Sequence, residues 1–199
     1  MVPALLVYVS LALPRAGLTP SSYGTAIAEV AAIWAAHDVV VRAASPAVPP
    51  ADDEVVVRVV VQPRPRLLES RWSGALASVR FDGSGAPLPE IALYLPNLID
   101  MIERSNIPGS GGDPWPTILR ERAIGRAVGR VLAHELGHYL LRSRTHARFG
   151  LMRAIQNAAD LVGAGRETFA LSPAEAARWA VIASDTPVAL DGDCAGGDR

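Results

Sequence analysis

The chain of 199 residues is 50% hydrophobic and 20% charged, and its formal net charge is −1. A chain of this length and composition can bury enough apolar surface to offset the entropy of ordering, which excludes disorder as its overall state. The nearly neutral balance also argues against nucleic acid or an anionic membrane as the main partner, because both would need a basic excess.

The first predicted element is a strand within the apolar run from Val2 to Leu13. A signal peptide would carry a positive segment before such a run, and no basic residue precedes this one. The run is also too short to span a bilayer, so we expect no stable membrane insertion. Its weak alternation of polar and apolar residues predicts a strand that is buried on both faces.

Helices and strands then alternate along the chain. The first predicted helix starts in Thr19–Ser22 and ends near His37. Predicted strands follow at 39–41, 54–62 and 75–81, then a turn at 82–85, a return strand at 89–95 and one or two helical turns at 97–104. A long helix is predicted from Thr117 to about Leu141, with Pro116 in its first turn, and a last helix from Ser172 to about Ala183. No helical pattern is found between Arg142 and Ser172.

This order predicts an α/β (α+β) fold, in which helices pack on a mixed, twisted sheet within one domain at residues 1–184. The polar, glycine-rich residues 185–199 predict a flexible tail. The only cysteine, Cys194, lies in that tail, so no disulfide can form within the chain.

The long helix ends in His134-Glu135-Leu136-Gly137-His138. Two histidines four residues apart share one helical face, so both imidazoles can reach a single ion, and Zn²⁺ prefers such neutral nitrogen ligands. Glu135 projects about 100° around the helix from His134, which places its carboxylate beside the ion. From there it can act as general base on zinc-bound water. The alternative is that both are ordinary helix histidines.

A catalytic zinc site needs a third protein ligand. His146 is the best candidate, because it follows His138 by eight residues, after the helix has ended. Glu167 and Glu175 are the alternatives, although Glu175 also forms a predicted capping box with Ser172 that explains it without a metal.

Two further residues near the helices have structural interpretations. Arg130 shares the face of His134, and we interpret it as a member of a solvated ion pair with a carboxylate. His37 is predicted to be a histidine at the end of the first helix with no role in chemistry.

The HELGH motif, the downstream His146 and the run Gly150-Leu151-Met152-Arg153 resemble the zinc-binding region of the metzincin metallopeptidases and of small metzincin-like bacterial proteins. The usual pattern is H-E-x-x-H-x-x-G-x-x-H. Here position 141 is leucine and position 144 is arginine, so the third histidine comes two residues late. We interpret this insertion as a wider turn that does not require the left-handed conformation of glycine.

The resemblance implies a metzincin-like catalytic domain whose long helix carries the active site, with Met152 beneath the metal. It implies a zinc-dependent hydrolase of peptide bonds that acts on a peptide or protein substrate, with Ile91–Leu95 as the edge strand that binds extended substrate. Secretion is usual among such peptidases, and the sequence carries no secure signal peptide. The alternatives are a zinc-binding module without catalysis and a zinc hydrolase of a non-peptide amide.

Overall fold

The computed structural model of the chain describes residues 7–45, 47–51, 54–63, 74–105, 116–154 and 157–185. Within these ranges one sheet is formed by five strands: β1 (Val7–Ala12), β2 (Val39–Ala43), β3 (Val55–Val61), β4 (Ala77–Phe81) and β5 (Pro87–Leu93). Their order is β2-β1-β3-β5-β4. β4 is antiparallel to β5, and the other neighbouring pairs are parallel, so the predicted mixed sheet is confirmed.

The described helices are α1 (Pro20–Ala35), α2 (Leu95–Arg104), α3 (Thr117–Leu140), α4 (Ala158–Val162) and α5 (Pro173–Ser184). α1 begins as predicted, because the Thr19 hydroxyl accepts a hydrogen bond from the Ser22 amide at 3.2 Å. α3 begins directly after Pro116, which is its N-cap residue. Among the described helices, none has both the length and the apolar character needed to cross a membrane.

α4 lies in the segment where no helix was predicted. It has only five residues, too few to show a helical period, and the Asn157 side chain caps it by accepting a hydrogen bond from the Asp160 amide at 2.8 Å. A short helix that depends on a cap and on packing leaves little trace in the hydrophobic pattern.

The prediction that the first strand is buried on both faces was wrong. Val9 and Leu11 of β1 are fully buried against the helices, whereas Tyr8 points to the other face and is 39% exposed. Its register partner Val40 on β2 is exposed to the same degree. Since the helices cover one face of these strands, their opposite face is partly open to solvent.

The prediction that Ile91–Leu95 is an edge strand was also wrong. β5 lies inside the sheet, because it pairs with β3 on one side and with β4 on the other. The turn at 82–85 folds the chain back so that β4, not the return strand, occupies the edge. This reversal matters for the site, because β4 forms one wall of its cavity.

α1 and α3 pack at close range on the sheet. A Cβ atom at Gly125 would lie 2.6 Å from the carbonyl oxygen of Ser22, and one at Gly129 would lie 2.7 Å from that of Ala26. These two glycines therefore permit the backbones to approach. The Trp34 indole N–H, from α1, donates to the carbonyl of Ala133 at 3.1 Å, which ties α1 to the α3 turn that precedes the histidines.

Parts of two predictions lie outside the described residues. These parts are the beginning of the first strand, at residues 2–6, and the tail at residues 186–199 with Cys194. Asp185, the first residue of the predicted tail, is the C-cap residue of α5.

Candidate metal centre

The last two turns of α3 bring His134 and His138 together, as the four-residue spacing predicts. Both are buried, with 8% and 6% of their surfaces exposed, and their Nε2 atoms are 3.1 Å apart. The sheet and the chain after α3 cover this face of the helix, so the pair sits in the protein rather than on its surface.

α3 ends in a pattern of capping hydrogen bonds that orients His138. The Ser143 amide donates to the carbonyl of His138 at 3.1 Å, and the Arg142 amide donates to that of Tyr139 at 3.2 Å. Arg142 has a φ of 48°, the left-handed conformation that usually closes such a cap. The interpretation that the wider turn avoids this conformation was therefore wrong: an arginine adopts it one position after Leu141.

His146 completes a cluster of three imidazoles, which we call the histidine cluster (His134, His138, His146). Its Nε2 atom lies 3.2 Å from that of His138, and one ligand atom from each residue lies within 4.8 Å of the others. His146 is the most exposed of the three. A hydrogen bond of 2.8 Å from the Ala147 amide to the Met152 carbonyl closes the loop that carries it.

Backbone carbonyls fix the orientation of two of these rings. Nδ1 of His134 lies 2.7 Å from the carbonyl oxygen of Leu151, and Nδ1 of His138 lies 2.7 Å from that of Ser143. A carbonyl oxygen only accepts, so each Nδ1–H must donate, and in the neutral ring Nε2 then carries a lone pair. Both lone pairs point towards the centre of the cluster, which could hold a metal ion.

Burial keeps these imidazoles neutral, which is the form that binds metals. It lowers the pKa of His134 to about 4, although the hydrogen bond to Leu151 opposes this shift. Burial also lowers the pKa values of His138 and His146. Near neutral pH the two helix histidines therefore present unprotonated Nε2 atoms to each other and to Nε2 of His146 at close range, an arrangement that a cation would stabilise.

Glu135 lies beside the histidine cluster without being one of its ligands. Its side chain is buried and lines the same cavity as the histidines. Burial raises the pKa of its carboxyl to about 8, while a backbone hydrogen bond from Val79 on β4 acts in the opposite direction. The cluster of possible ligands consists of the three histidines and does not include this carboxylate.

The cavity in front of the cluster has a volume of about 600 Å³. β4 and the residues just before it form one wall, α3 forms another, and the loop after α3 closes one end. Its lining is mainly apolar apart from the histidine cluster, Glu135, Ser78 and two arginines, Arg144 and Arg153. Sequence reasoning did not identify Arg144 or β4 as part of the site. The available signal was the position of Arg144, two residues before His146.

Met152 packs against α3 at the position of Gly137. Only 1% of it is exposed, and a Cβ atom at Gly137 would overlap its Sδ atom. The glycine between the two helix histidines is therefore needed so that Met152 can pack against the helix.

The structure brings neither alternative glutamate into the histidine cluster. The Ser172 amide donates to the Glu175 carboxylate at 2.8 Å, and the Glu175 amide donates to the Ser172 hydroxyl, which confirms the predicted capping box. Glu167 lies in a single turn of 3₁₀ helix, Glu167–Phe169.

Arg130 forms the predicted ion pair with a carboxylate, but the pair is buried, not solvated. Its Nε donates to Glu29 at 2.8 Å, and its side chain is fully buried. Its terminal nitrogens donate to the carbonyls of Asp160 and Gly165, and the guanidinium packs over the Phe169 ring. The correction follows from the close packing of α1, which covers this face of α3.

His37 lies just after α1, as predicted. Its amide donates to the Trp34 carbonyl at 2.9 Å, and its ring meets the indole of Trp34 edge-on at 5.9 Å. It takes no part in the histidine cluster.

Comparisons with protein-family models, with curated proteins and with solved structures give no match to this chain. A functional assignment therefore depends on the geometry of the histidine cluster and of its cavity.

Proposed function

We propose that this chain is a zinc-dependent hydrolase of peptide bonds, with Glu135 as general base. The observation that carries the proposal is the convergence of three imidazole Nε2 atoms beside a buried carboxyl group in the wall of one cavity. Nucleophile activation by a metal needs this combination of neutral ligands, a nearby base and space for a substrate.

Two of the three distances within the cluster are close to those of a zinc site. With Zn–N bonds of roughly 2.0–2.1 Å, tetrahedral coordination separates ligand nitrogens by about 3.3 Å. Two of the Nε2–Nε2 distances are 3.1 and 3.2 Å. Among the described residues no fourth histidine, cysteine or acidic side chain joins the cluster. This favours a catalytic site, which keeps one position free, over a closed structural site.

His134, His138 and His146 would hold the ion through Nε2, and the carbonyls of Leu151 and Ser143 would keep two of the rings in place. When bound, zinc supplies Lewis-acid polarisation of the scissile carbonyl and lowers the pKa of water. The Glu135 carboxylate takes a proton from the attacking water and returns it to the departing amine. This role needs the carboxylate form. Burial raises the pKa of Glu135, and a cation held by the histidines would lower it again, because a nearby positive charge favours the ionised carboxyl.

β4 is the strand that we expect to bind an extended peptide. It has a neighbour on one side only within the described sheet, and Ala77, Ser78 and Val79 line the cavity. Pairing along this edge would hold a substrate by main-chain hydrogen bonds, so β4 takes the role expected of residues 91–95.

The first test is zinc content by elemental analysis on purified protein, for the wild type and for His146→Ala. We expect one zinc per wild-type chain and a much lower zinc content for the variant, because the loss of a ligand should weaken zinc affinity at least tenfold. His37→Ala is the matched control, because His37 lies outside the cluster, and it should keep its zinc. Absence of zinc from the wild type after reconstitution would overturn the proposal.

The second test is cleavage of an unstructured protein such as casein by the zinc-loaded protein. Glu135→Gln should retain zinc and lose activity by about 10²–10⁴-fold, the usual contribution of a general base. Full activity in this variant would contradict the assigned role. Stable zinc binding without any cleavage would favour a binding module or an enzyme for a different amide.

A further inference from the structure

The cavity of the proposed active site is positively charged at the end formed by the loop after α3. Arg144 and Arg153 line it there, next to His146. Glu135 is the only acidic side chain among the described lining residues, and it is committed to the proton transfer proposed above. With a divalent cation bound, the cavity would carry a clear excess of positive charge, although the whole chain has a net charge of −1.

The two arginines differ in whether an acidic side chain already pairs with them. Arg153 forms an ion pair with Asp160, and only 18% of its side chain is exposed. Arg144 is exposed, and among the described residues it has no acidic partner. Its guanidinium instead lies over the ring of Phe81, 4.6 Å from the ring centroid.

The contact with Phe81 positions Arg144 at the cavity. Phe81 is the last residue of β4 and lines the same cavity. The contact therefore holds the guanidinium between β4 and the loop that carries His146. A guanidinium stacked on a ring keeps its N–H groups free at the edge. These donors match the two oxygens of a carboxylate.

We infer that Arg144 is a specificity residue that binds a carboxylate of the substrate, so that the cavity selects peptides carrying an acidic group near the bond to be cleaved. This inference rests on the proposed function, because it assumes that the cavity binds a peptide substrate. It concerns binding, however, and can be tested apart from turnover. The carboxylate has two possible sources, an aspartate or glutamate side chain and the carboxyl terminus of a peptide.

The experiment measures peptide binding by fluorescence anisotropy on zinc-loaded Glu135→Gln protein, which should bind without cleaving. Four labelled peptides share one sequence and differ at two points: a central glutamate or glutamine, and a free or amidated carboxyl terminus. We expect a carboxylate at one of these points to tighten binding about five- to tenfold, and the peptide pair that shows it identifies the source.

Arg144→Gln in the same background should abolish this difference. Arg148→Gln is the matched control, because Arg148 is an exposed arginine of the same loop that does not line the cavity, and it should preserve the difference. Arg144→Lys should keep a part of it, since lysine supplies the charge without the bidentate geometry. Raising the salt concentration should reduce the difference for the parent protein.

The two proposals can fail separately. Equal binding of all four peptides, absence of measurable binding, or an unchanged difference in Arg144→Gln would overturn the role of Arg144. If wild-type protein nevertheless cleaves neutral peptides, the hydrolase assignment stands without this specificity. Conversely, carboxylate binding that depends on Arg144, with no cleavage by the wild type, would support the inference and count against the hydrolase.

Discussion

Two polar clusters, each built around buried side chains of α3, lie one helical turn apart, and they differ in how completely their groups are paired. The guanidinium cluster consists of Arg130, Glu29 and Arg166. Both carboxylate oxygens of Glu29 accept arginine donors, at 2.8 Å from Arg130 and 2.9 Å from Arg166. Each terminal nitrogen of Arg130 also donates to a backbone carbonyl. The histidine cluster begins four residues later. Its two helix histidines are satisfied at Nδ1, while three Nε2 atoms face one another.

This contrast teaches that burial of polar groups does not by itself mark a functional site. Arg130 is more deeply buried than His134, with 0% against 8% of its surface exposed, yet its charge already has a carboxylate partner in Glu29. The histidine cluster lacks a positive partner for its lone pairs, and a bound cation would supply one. Unmatched hydrogen-bonding capacity, rather than depth, distinguishes the two.

The largest expected effect comes from breaking the guanidinium cluster. Glu29→Gln leaves the buried charge of Arg130 without its carboxylate and should lower the free energy of unfolding by about 3–5 kcal/mol, measured by urea denaturation. Glu103→Gln is the control, because Glu103 pairs with Arg120 where both side chains are about half exposed, and its cost should stay below about 1 kcal/mol. Equal costs would show that the buried pair has no special weight.

Zinc should stabilise the protein through the histidine cluster alone. At a free zinc concentration of about a thousand times Kd, binding adds about 4 kcal/mol to the free energy of unfolding. Denaturation with and without zinc should show this increase for the wild type and for Glu103→Gln. His138→Ala should show none, because it removes the histidine whose Nε2 lies close to both of the others. A zinc-induced increase that survives in this variant would place the metal elsewhere.

Gly137→Ala should disturb the packing beneath the histidine cluster. The added methyl group would overlap Met152, so we expect a loss of about 1–3 kcal/mol in the free energy of unfolding. Gly24→Ala is the matched control: a Cβ atom there meets nothing within 4 Å, and alanine in a helix should gain about 0.5–1 kcal/mol. A double-mutant cycle with Met152→Ala should show that the two losses are not additive.

The most gradual expected effect, spread over several pH units, is the pH dependence of the metal-free protein at Glu135. Burial raises the pKa of this carboxyl from 4.5 to about 8, so between these values the folded state binds more protons than the unfolded state. The wild type should therefore lose stability relative to Glu135→Gln as the pH rises through this window, by at most about 1.4 kcal/mol per pH unit. Parallel pH profiles for the two proteins would contradict a raised pKa for the Glu135 carboxyl.

Much of this fold could be predicted from local sequence patterns. The β-branched run at 54–62, the hydroxyl cap at Thr19 and the capping box at Ser172 each depend on residues close in sequence, and the structure places β3, α1 and α5 there. The four-residue spacing of His134 and His138 predicted their proximity for the same reason, because residues four apart in a helix share a face whatever packs around them.

The failures concern relations between distant segments. Whether β4 or β5 forms the edge depends on which of them pairs with β3, and the burial of Arg130 depends on α1, which begins more than a hundred residues earlier in the chain and covers it. Arg142 is a local failure with a physical cause: arginine can adopt the left-handed conformation when capping hydrogen bonds compensate its cost, so the absence of glycine did not mean a different turn.

The contact of Trp34 with α3 also gives the protein an optical property. Its indole N–H is bonded to the carbonyl that directly precedes His134, and its ring lies against the position of Gly137. Its ring also meets that of Trp179 edge-on, at 6.2 Å between centroids. Any shift of the helix when an ion enters or leaves would change the surroundings of this fluorophore, one of the four tryptophans of the chain, so a change in intrinsic emission is expected to accompany it.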